Sequence, residues 1–297
     1  ILIIGGNIVV RDALEQLIAG EDFDMVLKKN QLYKYELLEL LRNEVLNYAK
    51  SGFQLDQKEQ LKSIYLDCFS MVNLKGQKVA LISDTHLASK YENLEYFLRV
   101  LDFCHRENIY YLFHGGDIGD GLVEPDCNYR TPMQQLQHII DVYPSDKYVK
   151  QYILGGNHDY KYFRLGFDLI KLLSSEKNNI YPLGYFQAFF TIFDYPFFFE
   201  HYCKMRPQYD LNFSSFVISG HAHKSRFGDY FIKIPTLSNN IMYGKSSSVG
   251  KPGFIVMETY PNVDSFDLKF MRYSFSGSDL FLSESHSYQF TKKMTFL

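Results

Sequence analysis

Seven candidate metal ligands and one candidate proton donor lie in order along the chain, in five short segments. They read Asp84-Thr85-His86, Gly116-Asp117-Ile118-Gly119-Asp120, Gly156-Asn157-His158-Asp159, an isolated His201, and Gly220-His221-Ala222-His223. Each segment except that of His201 follows an apolar run of strand character, and each supplies oxygen or imidazole groups. This is the layout of a two-metal hydrolytic site. Two divalent ions held about 3.5–4 Å apart can clamp a phosphoryl group and a hydroxide together. Such a pair needs mixed ligands: carboxylates lower the net charge and one must bridge, whereas imidazoles add affinity without charge. The candidates comprise two carboxylates, one amide and four imidazoles. Gly115 and Gly116 allow a tight turn and close backbone approach before Asp117. In D-x-H an irregular turn lets both side chains face one ion, and the i, i+2 spacing of His221 and His223 lets two rings reach adjacent ions.

These residues need elements to hold them. Val79–Ser83, Ile109–Phe113 and Gln151–Leu154 read as buried strands that end at the first three segments. Between and after them Asn93–Asn108, Thr131–Val142 and Arg164–Leu173 carry helical spacing. Such strand–helix repeats predict a parallel-type sheet with covering helices, with ligands gathered at the carboxyl ends of its strands. The second half is strand-rich, with runs at 188–193, 197–200, 216–219, 230–234, 254–260 and 268–273. Residues 1–75 read as a mostly helical accessory segment, 76–275 as the domain that carries the site, and 276–297 as a polar C-terminal tail. Within the first segment, Ile1–Val10 suggests two short strands around Gly5-Gly6-Asn7, followed by helices over 12–18 and 32–48. The acidic residues among those helices favour a packing element over a helix-turn-helix reader of nucleic acid.

The five segments resemble the calcineurin-like metallophosphoesterase family, whose pattern runs D-x-H, G-D-x-x-D, G-N-H-[DE], H, G-H-x-H. The resemblance covers roughly residues 78–260 and implies an α/β fold, a four-layer α/β/β/α sandwich. It assigns Asp84, His86 and His223 to one metal, Asn157, His201 and His221 to a second, and Asp117 to a bridge between them. It implies that His158 is no ligand but stabilises charge on the phosphate and protonates the leaving oxygen. Asp120 would then accept a hydrogen bond from His158, orienting it and raising its pKa. The implied nucleophile is a metal-bridging hydroxide. His201 departs from the family in being followed by Tyr202 where glycine is frequent, which makes His114 the competing candidate for its place. His105, His138 and His286 read as structural.

The activity this implies is hydrolysis of a phosphodiester or phosphomonoester with two divalent ions, drawn from Mn, Fe, Zn or Ni. The alternatives are a DNA-repair-type nuclease of the same fold and a non-catalytic scaffold of that fold. Tyr160, Lys161, Arg164, Arg206, Lys224 and Arg226 lie close to the motifs in sequence and could grip phosphate. A small phosphoester fits a net charge of −3 better than nucleic acid does, since strand tracking calls for a basic groove. Cys68, Cys104, Cys127 and Cys203 show neither C-x-x-C spacing nor the density of a disulfide framework, so they read as reduced thiols of a cytoplasmic protein. No run approaches the roughly 18 apolar residues of a membrane span. The apolar opening Ile1–Ile4 is too short for a secretory leader and has no basic residues before it.

Overall fold

The computed structural model describes residues 6–32, 37, 41, 57, 60, 71–74, 78–121, 127–192, 195–201, 216–239, 250–262 and 265–291. Two compact units are distinguished: Ile1–Ser70 with Pro207–Phe213, and Met71–Arg206 with Ser214–Leu297.

In the smaller unit, helix α1 spans Gly6–Ile18 and α2 spans Phe23–Lys29. The two strands expected within residues 1–10 are not found: from Gly6 onward the chain is helical, and residues 1–5 lie outside the described residues. The β-branched run Ile8-Val9-Val10 misleads, because strand preference is a weak prior against the helix-forming stretch that follows. Ala13, Leu14 and Leu17 are buried at helical spacing on α1, as is Val26 on α2. Asp22 caps α2 by accepting from the amides of Asp24 and Met25 at 3.0 and 3.1 Å. Most of the helix expected over 32–48 lies outside the described residues. Leu37 and Leu41 within it are helical and buried.

The larger unit is built on two sheets. Its strands in chain order are β1 Met71–Leu74, β2 Val79–Ile82, β3 Tyr111–His114, β4 Lys150–Gly155, β5 Ile180–Tyr185, β6 Gln187–Ile192, β7 Tyr195–Glu200, β8 Phe216–Ser219, β9 Arg226–Gly228, β10 Phe231–Lys233, β11 Gly253–Pro261, β12 Ser265–Ser276 and β13 Asp279–Thr291. The seven-stranded sheet has the order β13-β12-β11-β2-β3-β4-β5, and the six-stranded sheet β1-β6-β7-β8-β10-β9. β2, β3, β4 and β5 are parallel neighbours. Their crossovers carry helices α3 Leu94–Arg106, α4 Pro132–Val142, α5 Asp159–Arg164 and α6 Leu169–Glu176.

Period-two alternation sorts the side chains of the large sheet between two cores. Ala80, Ile82, Leu112, Ile153, Phe254 and Val256 face the helices and pack with Phe97, Leu101, Ile139 and Leu173. Val79, Leu81, Phe113, Leu154, Ile255 and Met257 face the other sheet and pack with Phe190, Phe197, Phe199, Phe216 and Ile218. Among the described residues this gives a mixed α/β fold of helices, a seven-stranded sheet and a six-stranded sheet. Among the described residues of this unit no helix contributes to the second core, so the fourth layer implied by the resemblance is not among them.

Three further differences from the sequence reading have local causes. The single helix expected over 164–173 is two helices. Gly166 takes a left-handed φ of 91° after α5, and Asp168 caps α6 through the amide of Lys171 at 3.2 Å. Residues 71–74, read as part of the accessory segment, are a strand paired in parallel with β6. Residues 279–291, read as tail, pair with β12 along their length.

Candidate metal centre

All five segments meet at one end of the two sheets. Asp84 lies just beyond β2, Asp117 beyond β3, Asn157 and His158 beyond β4, His201 directly after β7, and His221 and His223 beyond β8. Past the strand ends the loops stay in step: the amides of Asp84, His86 and Leu87 donate to the carbonyls of Gly116, Asp117 and Ile118 at 2.9, 3.1 and 2.7 Å. Of the ten described non-glycine residues with positive φ, five are ligand candidates: Asp84 (56°), His86 (44°), Asp117 (52°), His221 (64°) and His223 (57°). Left-handed backbone is uncommon outside glycine, and Asp and His are among the residues that adopt it most readily. Here it turns successive side chains in D-x-H and H-x-H inward.

The side chains converge in two groups. Asp84, His86 and His223 form one, and Asp117, His201 and His221 the other. In the first, His223 Nε2 lies 3.2 Å from Asp84 Oδ1 and 3.2 Å from His86 Nε2. In the second, His201 Nε2 lies 3.1 Å from Asp117 Oδ2, 3.0 Å from Asn157 Oδ1 and 3.3 Å from His221 Nδ1. Asp117 Oδ1 accepts the His158 amide at 2.8 Å. His86, Asp117 and His158 also lie close enough to form a third group, which puts His158 itself within ligand reach.

The donor set fits divalent metal. Ligand atoms about 2.0–2.2 Å from a common ion are separated by roughly 3.0–3.5 Å, the range of the contacts above. His201 donates its Nδ1–H to the Gly115 carbonyl at 2.7 Å, which leaves Nε2 as the donor nitrogen aimed at Asp117, Asn157 and His221. His86 donates Nδ1–H to Asp120 Oδ1 at 3.2 Å, leaving its Nε2 facing His223. Two imidazole nitrogens face to face need a cation or a proton between them. Asp84 Oδ1 is fully buried and is faced by the imidazole nitrogens of His223 at 3.2 Å and His86 at 3.9 Å, an arrangement that needs a cation or a proton to balance the buried carboxylate.

Charge separation follows from the same geometry. Burial pushes Asp84 and Asp117 up, but imidazolium neighbours, His223 for Asp84 and His201 for Asp117, overcome it and hold both well below the usual carboxylate range. Burial opposes a proton on His201, and Asp117 overcomes it, raising the pKa to about 9. Burial and the His201 charge lower His221 to about 4. His223 is raised, because Asp84 outweighs its burial.

His114 is also fully buried but serves the backbone. Its Nδ1 accepts the Gly116 amide at 3.2 Å and its Nε2–H faces Thr85 Oγ1 at 3.0 Å. Burial lowers its pKa to about 3, and it belongs to none of the three groups.

The expected Asp120–His158 pairing differs in detail. His158 Nδ1 lies 2.5 Å from the backbone carbonyl of Asp120 and 3.7 Å from its carboxylate, which is taken by His86. Burial, reinforced by His86, lowers the His158 pKa, against the rise expected from a carboxylate partner.

Sequence reasoning missed two anchoring residues. Asp159, the last residue of the third motif, accepts the amides of Ile118, Gly119 and Gly156 at 3.0, 2.8 and 2.8 Å, locking the second loop to the third. Burial and the Asp117 charge push it up to about 7 against the pull of those amides. Its place in the motif was the available signal. Thr236 donates Oγ1–H to the Asp84 carbonyl at 2.8 Å and its amide to the His223 carbonyl at 3.3 Å, and nothing in its sequence context announces it.

Of the suggested substrate contacts, Tyr160 is buried among Phe163, Tyr185 and Phe186. Arg164, Lys224 and Arg226 are exposed, and Arg206 lies outside the described residues. Lys161 instead brings its Nζ to 3.3 Å from His158 Nδ1. Cys104 and Cys127 are in no disulfide, whereas Cys68 and Cys203 lie outside the described residues. Among the described residues no helix is long and apolar enough to cross a membrane.

No curated protein matches the sequence. The chain is similar in structure to Vps29 from Entamoeba histolytica in complex with zinc, with TM-score 0.41 and 12% identity over 72% of this chain and 100% of that one. It is also similar to the nuclease MPE from Pseudomonas putida, with TM-score 0.33 and 15% identity over 61% and 84% of the two chains. The calcineurin-like phosphoesterase YfkN from Bacillus subtilis matches at TM-score 0.31 and 8% identity over 73% and 91%. The family model for calcineurin-like phosphoesterases matches residues 77–284, a span that takes in every one of the five segments, and the chain belongs to that family.

Proposed function

We propose that the chain is a metal-dependent hydrolase of a phosphodiester or phosphomonoester, working with two divalent ions. The observation that carries this reading is the pair of ligand groups, Asp84–His86–His223 and Asp117–Asn157–His201–His221, at one end of both sheets. Asp117 is the carboxylate proposed to serve both positions. When bound, two such ions supply Lewis-acid activation of water and neutralise charge on the phosphoryl oxygens. Manganese, iron, zinc and nickel all suit this mixture of imidazole, carboxylate and amide.

The chain's own groups then divide the work. His158 gives its Nδ1 to the Asp120 carbonyl, so its Nε2, 3.9 Å from Asp117 Oδ2, is the nitrogen that serves the phosphoryl side. We assign it transfer of a proton to the leaving oxygen. The Asp120 carbonyl orients His158, and its carboxylate orients His86. Lys161, half-buried with its Nζ 3.3 Å from His158 Nδ1, adds a positive charge beside the ring, and we assign it only that supporting role.

The test is a metal-supplemented panel of bis-p-nitrophenyl phosphate, p-nitrophenyl phosphate, cyclic nucleotides and single-stranded DNA, with Asp117→Asn as control. Hydrolysis of one or more small esters, abolished in the variant together with metal content at both positions, is the expected result. Cleavage confined to DNA would favour a nuclease. Two bound ions with no hydrolysis of any member would favour a scaffold.

A further inference from the structure

A hydrogen-bonded chain of side chains stands behind the turn that carries His86. Ala88, two residues on, is fully buried with φ 70°, a left-handed conformation that is unfavourable for a residue with a Cβ. Its amide donates to Glu92 Oε2 at 2.7 Å. The same oxygen accepts from His138 Nε2 at 2.7 Å. Because a carboxylate only accepts, Nε2 is the protonated nitrogen, and in the neutral ring Nδ1 takes the hydroxyl proton of Tyr129 at 2.8 Å. His138 lies on α4 and Tyr129 in the loop before it, so the helix layer reaches through Glu92 to the turn after His86.

The rest of that turn is tied directly to the metal centre. Ser89 Oγ donates to the His86 carbonyl at 2.7 Å. The Leu87 amide donates to the Ile118 carbonyl at 2.7 Å, and the Ala88 carbonyl accepts the Asn128 amide at 3.0 Å. Glu92 and His138 are mostly covered, at 18% and 21% exposed, and Ala88 itself is fully buried, so the carboxylate is the acceptor the structure provides for the Ala88 amide. Without that acceptor, a buried amide loses its partner and the left-handed residue loses what compensates its strain. The turn then relaxes, and His86 moves with it.

We propose that Glu92, held by His138 and Tyr129, is a positioning residue for the Asp84–His86–His223 metal position, acting through the left-handed turn at Ala88. The proposal rests on the two-metal reading above. Loss of an outer partner of a metal-binding histidine typically costs about 10–100-fold in affinity. The experiment is a calorimetric titration of the metal-free full chain with Mn²⁺, for the wild type, Glu92→Ala, Glu92→Gln, Ala88→Gly and the Glu92→Ala/Ala88→Gly pair.

Glu92→Ala should weaken one of two sites by about 10–100-fold and leave the other within a few-fold. Glu92→Gln keeps an oxygen for the Ala88 amide and should recover most of the loss. Ala88→Gly removes the left-handed penalty, so the double variant should recover affinity without any carboxylate. In a His223→Ala background, which already lacks that position, Glu92→Ala should cost nothing more. Unchanged affinity at both sites in Glu92→Ala overturns the proposal. So does equal loss at both sites, or no recovery on adding Ala88→Gly. A wild-type chain that binds fewer than two ions overturns the two-metal reading, and the proposal with it. A chain that binds two ions but hydrolyses no ester overturns the hydrolase reading and leaves the brace standing.

Discussion

In the metal-free chain a proton on His201 does part of the work of a cation, and its loss should be measurable as pH-dependent stability. Burial alone would strip that proton, but Asp117 Oδ2 at 3.1 Å overcomes it and holds the pKa at about 9 against an ordinary 6.5. A pKa raised by folding stabilises fully below the unfolded value, and the stabilisation disappears as pH climbs through the folded one. The window therefore runs from 6.5 to about 9. At about 1.4 kcal/mol for each tenfold in proton affinity, the interaction is worth at most about 3 kcal/mol. The depressed Asp117 is the other side of the same pair and is not added to it. For a chain of this size that corresponds to roughly 5–10 °C in Tm. The assay is thermal unfolding in chelator at pH 6 and pH 10, for the wild type and His201→Gln, which cannot take the proton. Asp159 titrates nearer 7 and is common to both proteins, so the difference between them isolates His201. The wild type should lose its advantage over the variant across that interval. Identical slopes, or a wild-type advantage that grows with pH, would refute the reasoning. When Mn²⁺ is added near pH 7, the same proton must leave, and His223, whose pKa is also raised, gives up any proton it holds, so binding should release at least one proton per chain and tighten as pH rises toward 9.

Three further outcomes follow from the site. His201→Ala should remove about one metal per chain, whereas His114→Ala should leave both and cost about 1–3 kcal/mol of stability by orphaning the Gly116 amide; metal analysis and denaturant melts separate them, and the reverse pattern would exchange their roles. His158→Ala should keep both metals and slow poor leaving groups by about 10²–10⁴-fold, with a smaller loss for nitrophenyl esters; loss of metal would instead make this residue a ligand, as its place beside His86 and Asp117 allows. Gly156→Ala puts a Cβ against the Asp117 carboxylate and 2.8 Å from His201 Cε1, so metal content should drop at the position holding Asn157 and His201, and a fully loaded variant would contradict the packing.

The parts of the fold that show in the sequence are those where local pattern and burial agree. β2, β3 and β4 are short apolar runs, and α3 and α4 carry a helical stripe capped by Asn93 and Thr131. The elements that do not show are those whose pattern belongs to their partners. β13 reads as polar because one of its faces is solvated, and it is stabilised by pairing with β12 rather than by its own composition. The two-residue Gly277-Ser278 link between those strands, with Gly277 at φ 58°, was the available hairpin signal. In α1 the opposite error arises: β-branched residues suggest strand where the chain continues into a helix.

The candidate metal centre shows why motif chemistry is easier to read than motif geometry. Donor types and their order along the chain suffice to bring Asp84, His86, Asp117, Asn157, His201, His221 and His223 together. They do not tell which oxygen holds which ring. That Asp120 gives its carboxylate to His86 and only its carbonyl to His158 depends on a loop held by Asp159, whose two oxygens take three amides from two different segments. The aspartate that ends the third motif is thus what makes the second motif rigid. The spacing of each motif records a backbone requirement as much as a ligand: left-handed Asp84 and His86, left-handed His221 and His223, and a glycine at 116 whose Cβ would stand 2.5 Å from His201 Nδ1. Side chains that only brace this backbone, such as Thr236 and Glu92, carry no spacing rule of their own. They become legible once it is known which amides and carbonyls the left-handed turns leave to be satisfied.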